Sequence, residues 1–153
     1  MKFQFRLQKV LDLRKHEEEN IKNQLAILAK ELQIEKRNLY NLQLEQNKIL
    51  SEINLLTGKT IDINELLWKR NYILKLDNEI MLQKKIIIQL ENEHKNMIAK
   101  YIEITKKVKV LEKLKEKLYK KFIKELEREE QNFLDEIGTN QFIRNKIALQ
   151  KSQ

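Results

Sequence analysis

Stepping alternately by four and three residues from Leu7 lands on Leu7, Leu11, Arg14, Glu18, Ile21, Leu25, Leu28, Leu32, Glu35, Leu39, Leu42, Gln46, Ile49, Ile53 and Leu56. Eleven of these fifteen positions are apolar. A period of 3.5 residues held over this distance is the mark of a helix whose a and d positions face a partner helix. It predicts helix 1 over residues 3–56. A second series runs Leu66, Lys69, Ile73, Leu76, Ile80, Gln83, Ile87, Leu90, His94, Met97, Tyr101, Ile104, Val108, Leu111, Lys115, Leu118 and Phe122, with thirteen of its seventeen positions apolar. Extending the first series beyond Leu56 would select Ile63, Leu67 and Leu74 instead, so the phase slips by one residue between the two stretches.

The slip coincides with Thr57-Gly58-Lys59-Thr60-Ile61-Asp62, a predicted turn over 57–62. Gly58 can take the left-handed conformation that ends a helix, and Asp62 with Glu65 three residues on forms a capping pair that can start another. A turn this short makes the helices antiparallel. The fold class that follows is all-α: two long helices in an antiparallel coiled-coil hairpin, read as one elongated domain, with residue i opposite about 120 minus i. Helix 2 is expected over 63–136 and is longer than helix 1, roughly 110 Å against roughly 80 Å. Gly138-Thr139-Asn140 is expected to loosen it, leaving 137–153 as a tail that is frayed or ordered on a partner.

Composition narrows the function. The 153 residues include two Gly, no Pro and no Cys, with 35% charged and 7% aromatic residues, which suits long helices and disfavours loop-built catalytic scaffolds. Without Cys there is no disulfide and no thiolate metal site, in keeping with a reducing cytoplasm. The longest apolar run, Leu25-Ala26-Ile27-Leu28-Ala29, is far short of a membrane span, and the opening residues do not read as a secretory signal.

Candidate chemistry is sparse. Thr57-Gly58-Lys59-Thr60 resembles the end of a phosphate-binding loop, but Ile53 stands where its first glycine belongs and no strand pattern precedes it. His16 and His94 lack the companions of a zinc site. No carboxylate pair sits in a pattern that would enclose it for acid/base work. An enzyme is not expected, nor any cofactor or metal. Polar seam positions such as His94, or Glu35 opposite Gln83 to Lys85, read as devices that fix register.

Charge and leftover apolar surface point to partners. Residues 95–124 hold eleven Lys and three Glu, a net +8, and residues 125–136 hold six acids and one Arg, a net −5. The basic collar, represented by Lys106, Lys107, Lys109 and Lys113, fits a solvated face or a dock for an acidic protein. It could also hold nucleic acid, although it has no Arg and no recognised motif. Leu67, Leu74, Met81 and Ile88 repeat every seven residues beside the seam, with Trp68 and Tyr72 one turn apart near the turn. A two-helix core leaves part of that surface exposed, and exposed aromatics on a charged surface suggest docking. Phe122, Leu126, Phe133 and Ile137 continue an apolar stripe past the end of helix 1, which makes them, with Phe3 and Phe5 of the first turns, the second candidate docking end.

The opening Phe3-Gln4-Phe5-Arg6-Leu7-Gln8-Lys9-Val10-Leu11-Asp12-Leu13-Arg14 is one of several strings that carry a family resemblance. The others are the Gly58 turn, Tyr72-Ile73-Leu74-Lys75-Leu76-Asp77-Asn78-Glu79-Ile80, and Leu134-Asp135-Glu136-Ile137 with Phe142-Ile143-Arg144. In this order and spacing they resemble the FliJ family of flagellar export proteins over essentially the whole chain. The resemblance implies a non-enzymatic, stalk-like coiled coil of the flagellar type III export apparatus, cytoplasmic and held at the membrane periphery. It implies engagement of the hexameric ring of the export ATPase FliI, the export gate protein FlhA and flagellar export chaperones. By position it places the gate-contacting surface near Asn38, Leu42, Tyr72, Leu76 and Gln83, to which Trp68 is added. The open end, with Phe3, Phe5, Phe122, Leu126, Phe133 and Ile137, is expected to contact the ATPase on geometric grounds, because one helix extends beyond its partner there and leaves that stripe uncovered. The alternative is a generic cytoplasmic coiled-coil adaptor or a basic nucleic-acid-binding rod.

Overall fold

The computed structural model describes residues 2–56 and 62–152. The Gly58 turn and the Thr57–Thr60 phosphate-loop resemblance lie outside them. Two helices make up the fold, α1 (Gln8–Leu56, 49 residues) and α2 (Ile63–Lys151, 89 residues), packed antiparallel. The expected seam is the seam observed. All fifteen positions of the first series are buried or half-buried, as are sixteen of the seventeen in the second; Leu118 is the exception. Asp62 caps α2, accepting from the Asn64 N–H at 3.0 Å on its side chain and from the Leu66 N–H at 3.1 Å on its carbonyl.

By its contacts the chain divides into two compact units, Met1–Lys15 with Lys106–Gln153, and His16–Thr105. In the first, Phe5, Leu11 and Val108 form a buried cluster flanked by Phe3, Leu7 and Leu111. The Phe3 ring meets Tyr119 edge-on at 5.3 Å and Phe122 at 5.5 Å. Lys15 and Glu112 pair across the helices at 3.4 Å. In the second unit Ile49, Leu76, Ile80, Ile87 and Ile104 are the buried apolar side chains. Burying a side chain of this size stabilises by about 1.5–3 kcal/mol, so a few seam layers carry most of each unit's stability.

Both outer helix ends differ from expectation. Helix α1 begins at Gln8 rather than at residue 3, after a turn in which the Gln8 N–H donates to the Phe5 carbonyl at 3.1 Å. Two residues on a helix lie about 200° apart, so a helical 3–7 segment would turn Phe3 and Phe5 to opposite faces. Unwound, the chain brings both rings onto α2. At the other end, α2 does not stop at 136 with a frayed tail behind it but continues to Lys151. One glycine inside a helix costs only about 1 kcal/mol, and no proline follows it. The Thr139 hydroxyl donates back to the Asp135 carbonyl at 2.9 Å, Gln131 donates to Asp135 Oδ1 at 3.1 Å, and the Ser152 N–H donates to the Ala148 carbonyl at 3.2 Å.

Leu76→Ala, at 2% exposure, is expected to destabilise the protein by about 2–4 kcal/mol, whereas Leu74→Ala, at 56% exposure, should cost under about 1 kcal/mol. Urea unfolding of the two variants checks this; equal losses would mean that the seam register is wrong.

Candidate functional site

The residues expected to meet the gate all lie in the unit formed by His16–Thr105, where they divide sharply by exposure. Leu76 is a core residue sealed in the seam, which removes it from direct contact with a partner. Its a/d position on α2 turns it inward. Leu42 and Gln83 are half-buried, and Gln83 is already committed: its amide donates to the Glu35 carbonyl at 3.0 Å and to the Glu35 carboxylate. That is the polar seam pair expected from register. Asn38 is exposed, one turn from Glu35, to which its amide reaches at 3.5 Å.

Trp68 and Tyr72 form the most distinctive surface feature. Their spacing of four residues puts them on one side of α2, and their rings stack with centroids 5.6 Å apart and planes 3° from parallel. Trp68 remains 64% exposed. Tyr72 is half-buried and its hydroxyl donates to the Glu45 carboxylate of α1. This bond is what the periodicity could not supply, since Glu45 lies outside the seam series. It holds the ring and so provides a fixed platform for the exposed indole. Around it, Lys69 bridges Glu52 at 3.3 Å and Glu65 at 3.5 Å, and Gln46 donates to Asp77. On the same helix Leu67, Leu74, Met81 and Ile88 are all half or more exposed, so the apolar row beside the seam stays uncovered.

The residues expected to contact the ATPase belong to the other unit and also divide. Phe5 is buried and Phe3 half-buried, so both serve the core of this end rather than an open surface. Phe122 and Leu126 are half-buried, Phe122 against Phe3. Phe133 and Ile137 are exposed, and so is every described residue from 127 to 152. Lys106, Lys107, Lys109 and Lys113 are exposed as expected. Leu118, the seam position left open, joins Leu114 and Lys117, Lys120, Lys121 and Lys124 in lining a shallow basic groove. Among the described residues no group of His, Cys, Asp or Glu is placed to hold a metal ion, and no helix is long and apolar enough to cross a membrane.

Comparison with known proteins gives one family. The family model described as the flagellar FliJ protein matches residues 2–146. A curated relative, the flagellar FliJ protein of Bacillus subtilis (strain 168), is 30% identical over 148 residues, covering 94% of this chain and 97% of the relative. No solved structure matches.

The Glu45 bond has a pH consequence. Donation to the Glu45 carboxylate, burial, and the charges of Glu45 and Glu79 all hold the Tyr72 proton more tightly than in a free tyrosine. Below the ordinary tyrosine value both folded and unfolded chains keep that proton, and the stabilising contribution is complete. Above it the unfolded chain ionises first, so stability falls as pH rises through the raised folded value. Tyr72→Phe is expected to make the decline in denaturant midpoints shallower above about pH 10 and to leave the profile parallel to wild type below it. Superimposable profiles would mean that Tyr72 titrates as an ordinary tyrosine.

Proposed function

The chain belongs to the flagellar FliJ family, and from that premise we propose that it is a non-catalytic part of the flagellar protein-export apparatus. In this reading it is a coiled-coil stalk that engages the ring of the export ATPase FliI, promotes its assembly and activity, and links it to the gate protein FlhA and to export chaperones. It works in the cytoplasm, held at the membrane periphery by those partners.

One observation carries the reading: α2 continues beyond its last half-buried residue as a fully exposed helix bearing Phe133 and Ile137. A preformed helix with an uncovered stripe can enter a ring without first folding, which limits the ordering cost of association. Burial of roughly 400 Å² of apolar surface there is worth on the order of 10 kcal/mol before those costs, sufficient for a specific complex. The lysines of the collar lie just before that stretch and favour acidic groups at a ring mouth. Such charges speed encounter more than they deepen affinity. At the gate surface the stacked Trp68 and Tyr72 supply the rigid aromatic anchor, with Asn38 as an exposed polar contact and Leu42, Leu76 and Gln83 supporting the surface from within.

Titrating FliI activity with variants tests the stalk. Deleting residues 125–153 should abolish stimulation while most of the coiled coil survives. Full stimulation by the truncated protein would show that this end does not dock. Reversal of Lys106, Lys107, Lys109 and Lys113 to Glu should slow association and flatten its salt dependence. Tyr72→Ala should weaken FlhA binding about tenfold to a hundredfold with helicity retained. Unchanged affinity would remove Tyr72 from the gate surface.

A further inference from the structure

Beyond the last half-buried residue, Leu126, α2 has about 25 residues with no covered face. Leu126, Phe133, Ile137 and Ile147 share one stripe at helical spacing, with Leu134 and Ile143 along its flanks; Phe133 is 61% and Leu134 58% exposed. The charges along this stretch are segregated. Residues 125–136 carry six acids and one Arg, and residues 137–152 carry Arg144, Lys146 and Lys151 with no acid. Glu127, Glu129, Glu130, Arg144 and Lys146 make no ion pair among the described residues.

A helix with an apolar stripe, an acidic first half and a basic second half is complementary to a second copy of itself running the opposite way. Parallel pairing would set acid against acid and base against base. Antiparallel pairing sets each acidic half against the other copy's basic half, twice, about a two-fold axis. We propose that the free protein self-associates through this stretch as an antiparallel homodimer. The charge blocks are matched when the axis passes near residue 138, which sets Phe133 opposite Ile143, brings Glu130 near Arg144 of the other copy on the stripe's flank, and puts Glu127 level with Leu149.

The interface is isologous, so it closes at two copies and does not propagate. About 25 residues at about 1.5 Å rise give a contact about 37 Å long. At helix width this is several hundred Å² on each copy, near the lower end of the roughly 800 Å² per partner of a standard interface. A concentration-dependent dimer follows, rather than a permanent one. The pairing stands independently of ring docking, but both use Phe133 and Ile137, so a partner that takes this helix competes with the second copy.

Sedimentation equilibrium of the full chain, with and without charge exchange, tests the proposal. The wild-type chain should shift from monomer to dimer over the micromolar range. Glu130→Lys in one variant, and Arg144→Glu in another, should each weaken self-association about tenfold, because each places like charges together at both symmetry-related ends of the contact. Mixing the two variants should restore a one-to-one heterodimer, which also shows that neither variant is simply misfolded. Spin labels settle direction, since the chain has no native Cys. Labels at Glu127→Cys of one copy and Leu149→Cys of the other should lie within about 20 Å, and two copies both labelled at Glu127→Cys about 33 Å apart. A wild-type chain that stays monomeric throughout, charge variants that dimerise as well as wild type, or a short distance between two Glu127→Cys labels would each overturn the proposal.

Discussion

Two helices can each bury only one face against the other, and everything else in this protein follows from that limit. A seam of 3.5-residue period fills the shared face with Leu, Ile and Val, and no third layer covers the rest. Among the described residues eight apolar side chains are buried, while many more large apolar residues remain open to solvent. Such a molecule is stabilised layer by layer along its seam, and what it offers to partners is the apolar surface that the seam leaves over. Trp68, Leu67, Leu74, Met81 and Ile88 are exposed because their positions lie beside that seam rather than in it.

A purely apolar seam would tolerate sliding by one heptad, and the polar positions oppose this. Gln83 bonded to both the backbone and the carboxylate of Glu35, Gln46 bonded to Asp77, and Lys69 paired with Glu52 each have their partner on the other helix in one register only. Half-buried amide and carboxylate groups contribute little net stability but leave costly unpaired groups when the register shifts. Exposed pairs such as Lys36–Glu91, at 3.6 Å, add at most about 1 kcal/mol each and do not decide the alignment. The same fixing of register aligns Tyr72 with Glu45, so the aromatic platform depends on the polar seam beneath it.

Much of this was legible in the sequence, because the period of the apolar positions is a direct consequence of helix geometry. The seam, the phase slip, the Asp62 cap and the Glu35–Gln83 pairing all follow from counting residues. The helix ends did not, for two physical reasons. Before Gln8 the alternation of Phe3, Phe5 and Leu7 has a period of two, which a helical count absorbs without notice although it signals an extended segment laying successive side chains on α2. After Glu136 the Gly-Thr-Asn triplet weakens a helix by composition, but the weakness is smaller than the cost of breaking one already propagating. Leu76 shows the reverse case. Its place in the 3.5-residue series marks it as core, and exposure separates it from Tyr72, four residues earlier, which alone reaches the Glu45 carboxylate. Which hydroxyl meets which carboxylate depends on side-chain reach across the seam, a detail that periodicity does not carry.

Cooperativity also explains why the unpaired part of α2 is a usable surface. A helix is costly to nucleate and inexpensive to extend, and the seam of the first unit supplies the nucleus through Leu11, Val108 and the ring cluster of Phe3, Tyr119 and Phe122. Residues 127–151 then extend an existing helix, although they bury nothing themselves. A partner that covers them meets a face already arranged, with Phe133 and Ile137 in line, and loses less of its binding energy to ordering than it would on a disordered tail. On the proposed reading the packed end of the first unit would therefore act on binding at a distance from any contact: loosening the Phe3–Phe122 cluster would weaken association through the helix it nucleates, without touching the exposed stripe.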